Sequence, residues 1–268
     1  MTVPKSWTGM LPAADGFRAQ LAYYPPGLAQ PWHRHRAPHV SAVIAGSFRE
    51  ATPAGDQLVC QGSVGFRADE AQHSVTFGPA GALVLAVDVN AWLEDGSPAA
   101  GVRWLPTSVR FARDLVSLAR SGNEGTGEEM ADRLLDLWAG PAGAPSVGQP
   151  PAWLRAAGER LLSDADAPSI GRLARELGVH RVHLSRCFAR YFGMAPSVFR
   201  RRAMAARALS AALDRTDSLA GAAAAAGFAD QSHMVRAVRE TCALGVGEMR
   251  RLLATGVTSV QAADRAAS

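Results

Sequence analysis

The chain has 268 residues, of which 48% are hydrophobic, and its formal net charge at pH 7 is +4. No stretch approaches the ~20 apolar residues that cross a bilayer, and the first residues lack a signal-peptide layout, so we expect a cytoplasmic protein without a membrane partner. The three cysteines lie far apart, so we expect no disulfide framework. Residues 151–255 hold 16 arginines and 9 acidic residues, which indicates a polyanionic partner for that part of the chain alone.

Residues 1–95 are predicted to form a β-rich domain. Runs of β-prone residues, each bounded by turn formers, span residues 39–50, 57–67, 72–77 and 81–89. Several short strands at this spacing are typical of a β-sandwich or a β-barrel.

Three histidines fall within seven residues of this domain, in the sequence PWHRHRAPH: His33, His35 and His39. On a strand these positions share parity, so their side chains can face one interior. A cluster of neutral imidazoles can bind Zn²⁺, Cu²⁺, Ni²⁺ or Fe²⁺. The alternative is that the histidines are polar groups that line a pocket without a metal.

Residues 96–150 are predicted to contain two helices and a linker. Val109, Leu115 and Leu118 form an apolar stripe, and Thr126 with Glu129 forms a capping box at the start of the second helix. The predicted apolar patches of these helices comprise Leu115, Leu118, Leu134, Leu135 and Trp138. They indicate self-association as a homodimer, and the alternative is that they pack back on the β-rich domain. The Pro- and Gly-rich residues 139–152 mark a domain boundary.

Residues 151–255 contain a repeated helical pattern. Apolar residues at helical spacing precede Gly178 and follow it, and the same arrangement returns 49–50 residues later around Gly227. The first copy has Ile170, Leu173, Ala174, Leu177, Leu184, Cys187, Phe188 and Tyr191, and the second has Leu219, Ala222, Ala223, Ala226, Met234 and Val238. A duplicated helix–turn–helix is much more specific than a single one. One long helix through Phe199 and Leu213 is predicted to hold the two units at a fixed separation.

Each copy offers a recognition helix, with an apolar face for its own domain and a polar face for the DNA major groove. The residues off the apolar stripes are Arg181, Val182, Ser185 and Arg186 in the first copy, and Gln231, Ser232, His233 and Arg236 in the second. Arginine can bind guanine in a bidentate fashion, and glutamine can do the same for adenine. We therefore predict that these eight residues contact double-stranded DNA.

About residues 153–253 resemble the DNA-binding domain of AraC/XylS-type transcription regulators. The marks are the glycine turn, LSRCFARYFGMAP, the Arg- and Ala-rich linker helix and GFADQSHMVRA. The chain departs from the family's C-terminal signature at Cys242, Ala243, Val246 and Met249, and keeps Arg250. The resemblance implies a sequence-specific transcription regulator, which would also contact the transcription machinery if it is an activator.

Residues 27–46 resemble the first cupin motif, from Gly27 through the three histidines to Gly46, with His39 where cupins usually have Glu. In the second motif Gly62 and His73 match, whereas Ala68, Glu70 and Phe77 replace the usual residues. The resemblance implies four candidate metal or effector positions: His33, His35, His39 and His73.

The predicted fold class is α+β, with an N-terminal cupin-like β-barrel followed by an all-α domain of two helix-turn-helix units. The predicted division is a sensing barrel at 1–95, a helical dimerisation segment and linker at 96–150, a DNA-binding domain at 151–255 and a disordered tail at 256–268. The predicted function is a transcription regulator controlled by a small-molecule or metal effector, and not an enzyme. A dedicated metal sensor and a cupin-type metalloenzyme fused to a DNA-binding module are the alternatives, but no G-x-S-x-G, H-E-x-x-H or Gly-rich phosphate loop occurs.

Overall fold

The computed structural model describes residues 6–11, 18–35, 38–68, 71–88, 102–107, 109–123, 125–138, 150–163, 168–214 and 218–254. Within these ranges the chain forms eight β-strands, which all belong to one sheet, and nine α-helices. The predicted α+β fold class is confirmed. The predicted tail at 256–268 and most of the predicted linker lie outside the described residues.

The strands are β1 (Trp7–Met10), β2 (Ala19–Tyr24), β3 (Ala29–Arg34), β4 (His39–Thr52), β5 (Gly55–Cys60), β6 (Ser63–Arg67), β7 (Gln72–Asp88) and β8 (Val102–Pro106). All the strand pairs are antiparallel. The long strands β4 and β7 pair with each other at the centre, and bulges at 43–48 change their register. At one end β7 pairs with β2 and β4 with β6, and at the other end β7 pairs with β3 and β4 with β5.

The two ends of the sheet face each other across a common interior, which we call the barrel. Trp104 lies on β8, which extends the first end of the sheet, yet its ring packs at 5.5 Å from that of Phe48 on the other end of β4. Val43, Val59, Val75 and Phe77 are buried in the same interior. Because β4 and β7 run through both ends of the sheet, residues that are far apart along either strand line the same interior.

The strands differ from the sequence expectation at three places. The predicted run 57–67 is divided into β5 and β6 by a turn at Gly62, whose φ of +85° favours glycine. The predicted runs 72–77 and 81–89 join into the single strand β7. The predicted end of the barrel at residue 95 is too early, since β8 pairs with β6 and completes the sheet beyond that point.

The helices are α1 (Val109–Ser121), α2 (Thr126–Trp138), α3 (Ala152–Ser163), α4 (Ile170–Glu176), α5 (Arg181–Phe192), α6 (Pro196–Asp214), α7 (Leu219–Ala225), α8 (Gln231–Cys242) and α9 (Val246–Ala254). Side chains that accept hydrogen bonds from the first turn begin the four short helices of the two repeats. These are Ser169 for α4, His180 for α5, Ser218 for α7 and Asp230 for α8. The repeat seen in the sequence is therefore a repeat of helix, turn and helix.

Helices α1 and α2 pack inside the chain. Leu115 and Leu134 are buried in the core that the barrel shares with the helical part, and Leu118 lies partly buried against it. Leu135 instead is 55% exposed. Burial within one chain removes Leu115 and Leu134 from the predicted dimer surface, because a buried side chain has no area left for a partner.

Helix α6 lies between the two repeats and also packs against β4 and β7. Its small side chains, such as Ala205 and Ala208, are buried and allow a close approach. Tyr23 Oη donates a 2.8 Å hydrogen bond to Ser210 Oγ, and Gln61 Nε2 donates a 3.1 Å bond to the Phe199 carbonyl. The helix that joins the two repeats is therefore seated directly on the outer face of the barrel.

Candidate functional site

The structure brings the four predicted histidines together in the barrel. His33 on β3 is the register partner of His73 on β7, and their ring centroids are 4.3 Å apart. The His35 ring lies 4.6 Å from that of His39 and 5.2 Å from that of His73. His73 is buried, and the other three are half-buried. The convergence follows from strand pairing, because β3 pairs with the start of β7 and the start of β4, where His39 lies, pairs with β6.

Three of these histidines form a tighter group. One nitrogen from each of His33, His35 and His73 can be chosen so that all three lie within 4.8 Å of one another. His39 is not in this group, and its Nε2 lies 3.4 Å from Nη1 of Arg67. Of the four positions predicted from the sequence, three thus have ligand atoms close to one another, and His39 lies beside them.

A buried carboxylate beneath the histidines was not found by sequence reasoning. Glu50 is fully buried, and its Oε1 accepts hydrogen bonds from His73 Nδ1 at 2.8 Å and Arg67 Nη2 at 2.6 Å. Its Oε2 accepts from Gln57 Nε2 at 2.9 Å and from Trp104 Nε1. One side chain on β4 therefore receives donors from β5, β6, β7 and β8. The only signal in the sequence is a charged residue inside a β-prone run.

Electrostatics favour an ionised carboxylate in this position. Burial alone would raise the pKa of Glu50, but the hydrogen bonds from His73 and Arg67, together with the Arg67 charge, lower it to about 2. Arg67 is also buried, donates at 3.0 Å to Ser41 Oγ and lies over the Trp104 ring. The Glu50–Arg67 pair therefore sits in the barrel as a compensated ion pair.

The same surroundings keep two imidazoles neutral. Burial lowers the pKa of His35 far below its ordinary value, and neighbouring His39 and Arg67 lower it further. Burial also lowers the pKa of His73, although its hydrogen bond to Glu50 opposes the change. Neutral imidazoles carry the lone pair that a metal ligand needs. The cluster can therefore coordinate a cation or accept hydrogen bonds.

The predicted DNA-contacting residues lie on the outer faces of α5 and α8. Arg181, Val182 and Arg186 are exposed on α5, and Ser185 is half-buried. The four predicted residues of α8, Gln231, Ser232, His233 and Arg236, are exposed. Behind these faces Leu184 and Phe188 on α5, and Met234 and Val238 on α8, are buried. Both helices thus have the buried and exposed faces that a recognition helix requires.

Residues 173–261 match the family model of a helix-turn-helix domain. No curated protein matches the chain. No helix of the described residues is long and apolar enough to span a membrane.

Several solved structures are similar to parts or most of the chain. ToxT from Vibrio cholerae strain SCE256, bound to an unsaturated fatty acid, is 11% identical with a TM-score of 0.40, and the match covers 97% of this chain and all of that one. An AraC-type regulator from Chromobacterium violaceum is 24% identical over 37% of this chain and 89% of that one, with a TM-score of 0.35. A cupin domain from Bordetella pertussis Tohama I is 20% identical over 33% of this chain and 96% of that one, with a TM-score of 0.28. Each TM-score is below 0.5. The identification of a helix-turn-helix domain in the C-terminal part therefore rests on the family match alone.

Proposed function

Because residues 173–261 match the family model of a helix-turn-helix domain, we propose that the protein is a DNA-binding transcription regulator of the AraC/XylS type, controlled by an effector held at the histidine cluster of its barrel. The cluster comprises His33, His35, His39 and His73. In this proposal the protein acts in the cytoplasm as a homodimer, and as an activator it would contact the transcription machinery. Residues 151–255 supply the DNA-binding surface.

The observation that carries the DNA-binding role is the duplicated unit with two exposed polar faces. The same polar positions of α5 and α8 face outward, and α6 connects the two units. Two recognition helices about 34 Å apart would enter successive major grooves on one side of a duplex. The excess of arginine in this region favours phosphate contacts as well.

The connection between the barrel and α6 supports effector control. His39 and Glu50 lie on β4, and His73 lies on β7. The opposite faces of these strands, including Ile44 and Leu83, share a core with α6. A ligand switches a protein only when it binds two states with different affinity. A ligand that changes the shape of β4 or β7 would therefore bind with different affinity to two states of the protein that differ in the position of α6.

A metal ion as the effector is the second candidate. His35 Nε2 and His73 Nε2 are 3.1 Å apart. Zn²⁺ holds nitrogen ligands at about 2.0–2.1 Å, which places two tetrahedral ligands about 3.3 Å from each other. The cluster residues therefore fit a first-row transition-metal ion, which would supply a binding energy that depends on the exact positions of β3 and β7.

The experiment begins with selection of an operator from a random DNA pool by the full-length, untagged protein. Gel shifts on that operator then compare protein in chelator with protein loaded with Zn²⁺ or Ni²⁺, and a reporter gene measures regulation in cells. We expect His35→Ala and His73→Ala to fold, to keep operator binding and to lose the regulatory response. Gln72→Ala, an exposed neighbour of His73 on β7, is the control.

The outcomes separate the two parts of the proposal. Absence of a selected operator would contradict the DNA-binding role. Folded His35→Ala and His73→Ala variants that regulate normally would contradict control by the histidine cluster. A reporter response that needs the histidines but no metal would favour an organic effector.

A further inference from the structure

We propose that Glu50 is a positioning residue, which sets His73 so that His33, His35 and His73 form a site for a first-row divalent transition metal. This inference rests on the metal-sensing form of the proposed function. It assigns a role to a residue that does not itself touch the cation.

The first step is the tautomer of His73. Its Nδ1 lies 2.8 Å from Glu50 Oε1. An ionised carboxylate only accepts hydrogen bonds, so Nδ1 must carry the hydrogen. The lone pair of the neutral ring is then on Nε2, the atom that faces His35. Glu50 thus decides which nitrogen of His73 is able to bind a cation.

A backbone carbonyl does the same for His33. Its Nδ1 lies 2.8 Å from the Pro31 carbonyl oxygen, which also only accepts. The lone pair of neutral His33 is therefore on Nε2 as well. Two of the three rings have their coordinating nitrogen fixed by an acceptor on the opposite side of the ring, which is the usual arrangement of metal-bound histidines.

The third ring completes the group. His35 Nε2 is 3.1 Å from His73 Nε2. Because His73 Nε2 has no hydrogen, this approach is favourable in only two ways. Either His35 donates its own Nε2 hydrogen, or His35 is the tautomer with its hydrogen on Nδ1 and both Nε2 atoms coordinate one cation. His39 does not compete, since its Nε2 faces Arg67.

Glu50 also makes the site acceptable for a positive ion. Arg67 is buried next to the cluster and is paired with Glu50 at 2.6 Å. Without Glu50 the guanidinium charge would oppose a cation a short distance away. Three imidazoles suit Zn²⁺, Ni²⁺ or Co²⁺, whereas Ca²⁺ and Mg²⁺ require oxygen ligands.

The test measures metal binding in the full-length, untagged protein without DNA. Co²⁺ is added and its visible d–d absorption reports the number of ions and their geometry, while a chromophoric chelator gives the Zn²⁺ affinity. We expect one ion per chain in the wild type. Glu50→Gln keeps the size and an acceptor oxygen but removes the charge, and it should lower the affinity roughly 10–100-fold.

Gln57→Ala is the matched control. It removes one donor from the same carboxylate but leaves the oxygen that faces His73. We expect its Zn²⁺ affinity to fall much less than that of Glu50→Gln, because the contact between Glu50 Oε1 and His73 Nδ1 is kept. An equal loss in Gln57→Ala and Glu50→Gln would show general loosening of the barrel and would overturn the positioning role.

Two further results would overturn the inference. One is a wild type that binds neither Co²⁺ nor Zn²⁺, which leaves operator binding and control by an organic effector untouched. The other is a folded Glu50→Gln variant with wild-type affinity. If Glu50→Gln does not fold, the nitrogen NMR spectrum of ¹⁵N-histidine-labelled, metal-free wild type decides. A hydrogen on His73 Nδ1 supports the role of Glu50, and a hydrogen on Nε2 contradicts it.

Discussion

Buried charge at Glu50 and Arg67 is tolerated because each group has several partners. Four donors surround the Glu50 carboxylate, and Arg67 reaches both Glu50 and Ser41. Removing one partner of such a pair leaves a charge in a medium of low dielectric constant, which costs more than the pair contributes. Through these hydrogen bonds the Glu50 carboxylate links β4 to β5, β6, β7 and β8.

Arg186 on α5 allows a prediction about base reading. The side chain is exposed, and no ion pair is seen for it within the described residues. If it forms bidentate bonds to guanine, Arg186→Ala should cost about 1–3 kcal/mol on the selected operator, with a much smaller loss on random DNA. Gel shifts on both DNAs measure the difference. Arg190→Ala, in the last turn of the same helix, is the control.

Equal losses on operator and random DNA would show that Arg186 contacts only phosphate. That result would be compatible with the proposed DNA-binding surface, but it would mean that other residues of α5 and α8 recognise the bases.

The ends of α5 and α8 show how one substitution makes two equivalent elements different. Helix α5 ends at Gly193 with φ +68°, and α8 ends at Ala243 with φ +59°. Among the described residues Ala243 alone combines a positive φ with a side chain. The left-handed conformation costs such a residue about 1–2 kcal/mol. The second unit therefore has a strained helix end where the first has none.

We predict that Ala243→Gly raises the free energy of unfolding by about 0.5–1 kcal/mol, since relief of strain exceeds the added entropy of the unfolded glycine. Urea unfolding monitored by circular dichroism measures the change. Gly193→Ala is the reciprocal variant and should destabilise by more, because its Cβ would also lie 3.0 Å from the Thr107 carbonyl oxygen. Destabilisation by Ala243→Gly would contradict the strain.

At the scale of the whole molecule, the barrel and the helical domain share one core. Ile44 and Leu85 of the barrel, Leu115 of α1, Leu209 of α6 and Met249 of α9 are buried in a single cluster. The ion pair between Arg49 and Glu159 joins β4 to α3, and the ion pair between Arg120 and Glu248 joins α1 to α9. A Pro- and Gly-rich segment in the sequence does not by itself imply that the two parts are independent.

This shared core predicts a single cooperative unfolding transition for the full-length protein, because neither part can unfold without exposing apolar surface of the other. Calorimetry should give equal calorimetric and van't Hoff enthalpies. The fluorescence of tryptophans in both parts should change at the same temperature. Two separated transitions would show instead that residues 151–255 fold independently.

Self-association is predicted to involve the exposed outer face of α2. Leu135 is exposed whereas Leu134 is buried in its own chain, so only the former can meet a partner without unfolding. Leu135→Glu should convert a dimer to a monomer in sedimentation velocity experiments at micromolar concentration. Asp136→Ala, which changes an exposed neighbour on α2, is the control. A monomeric wild type would contradict the prediction.

The sequence by itself determined the class of the fold, the repeated helix-turn-helix units and the polar faces of α5 and α8. These features depend on residue spacings within single helices and strands, and such spacings can be read directly from the sequence. The same holds for His33 and His35, because side chains two residues apart in an extended segment are predicted to face one side. His73 was found only through the resemblance to a cupin motif, 34 residues beyond His39.

The tertiary structure alone placed Glu50, Arg67 and Trp104 against each other, brought His39 Nε2 next to Arg67 and packed α6 against the barrel. The bond from Trp104 to Glu50 joins residues 54 positions apart, and that from Gln61 to Phe199 joins residues 138 positions apart. Such contacts are set by the register of paired strands and by the bulges of β4 and β7, which change the side that a residue faces. Local patterns carry no information on register, so these partners could not be read from the chain.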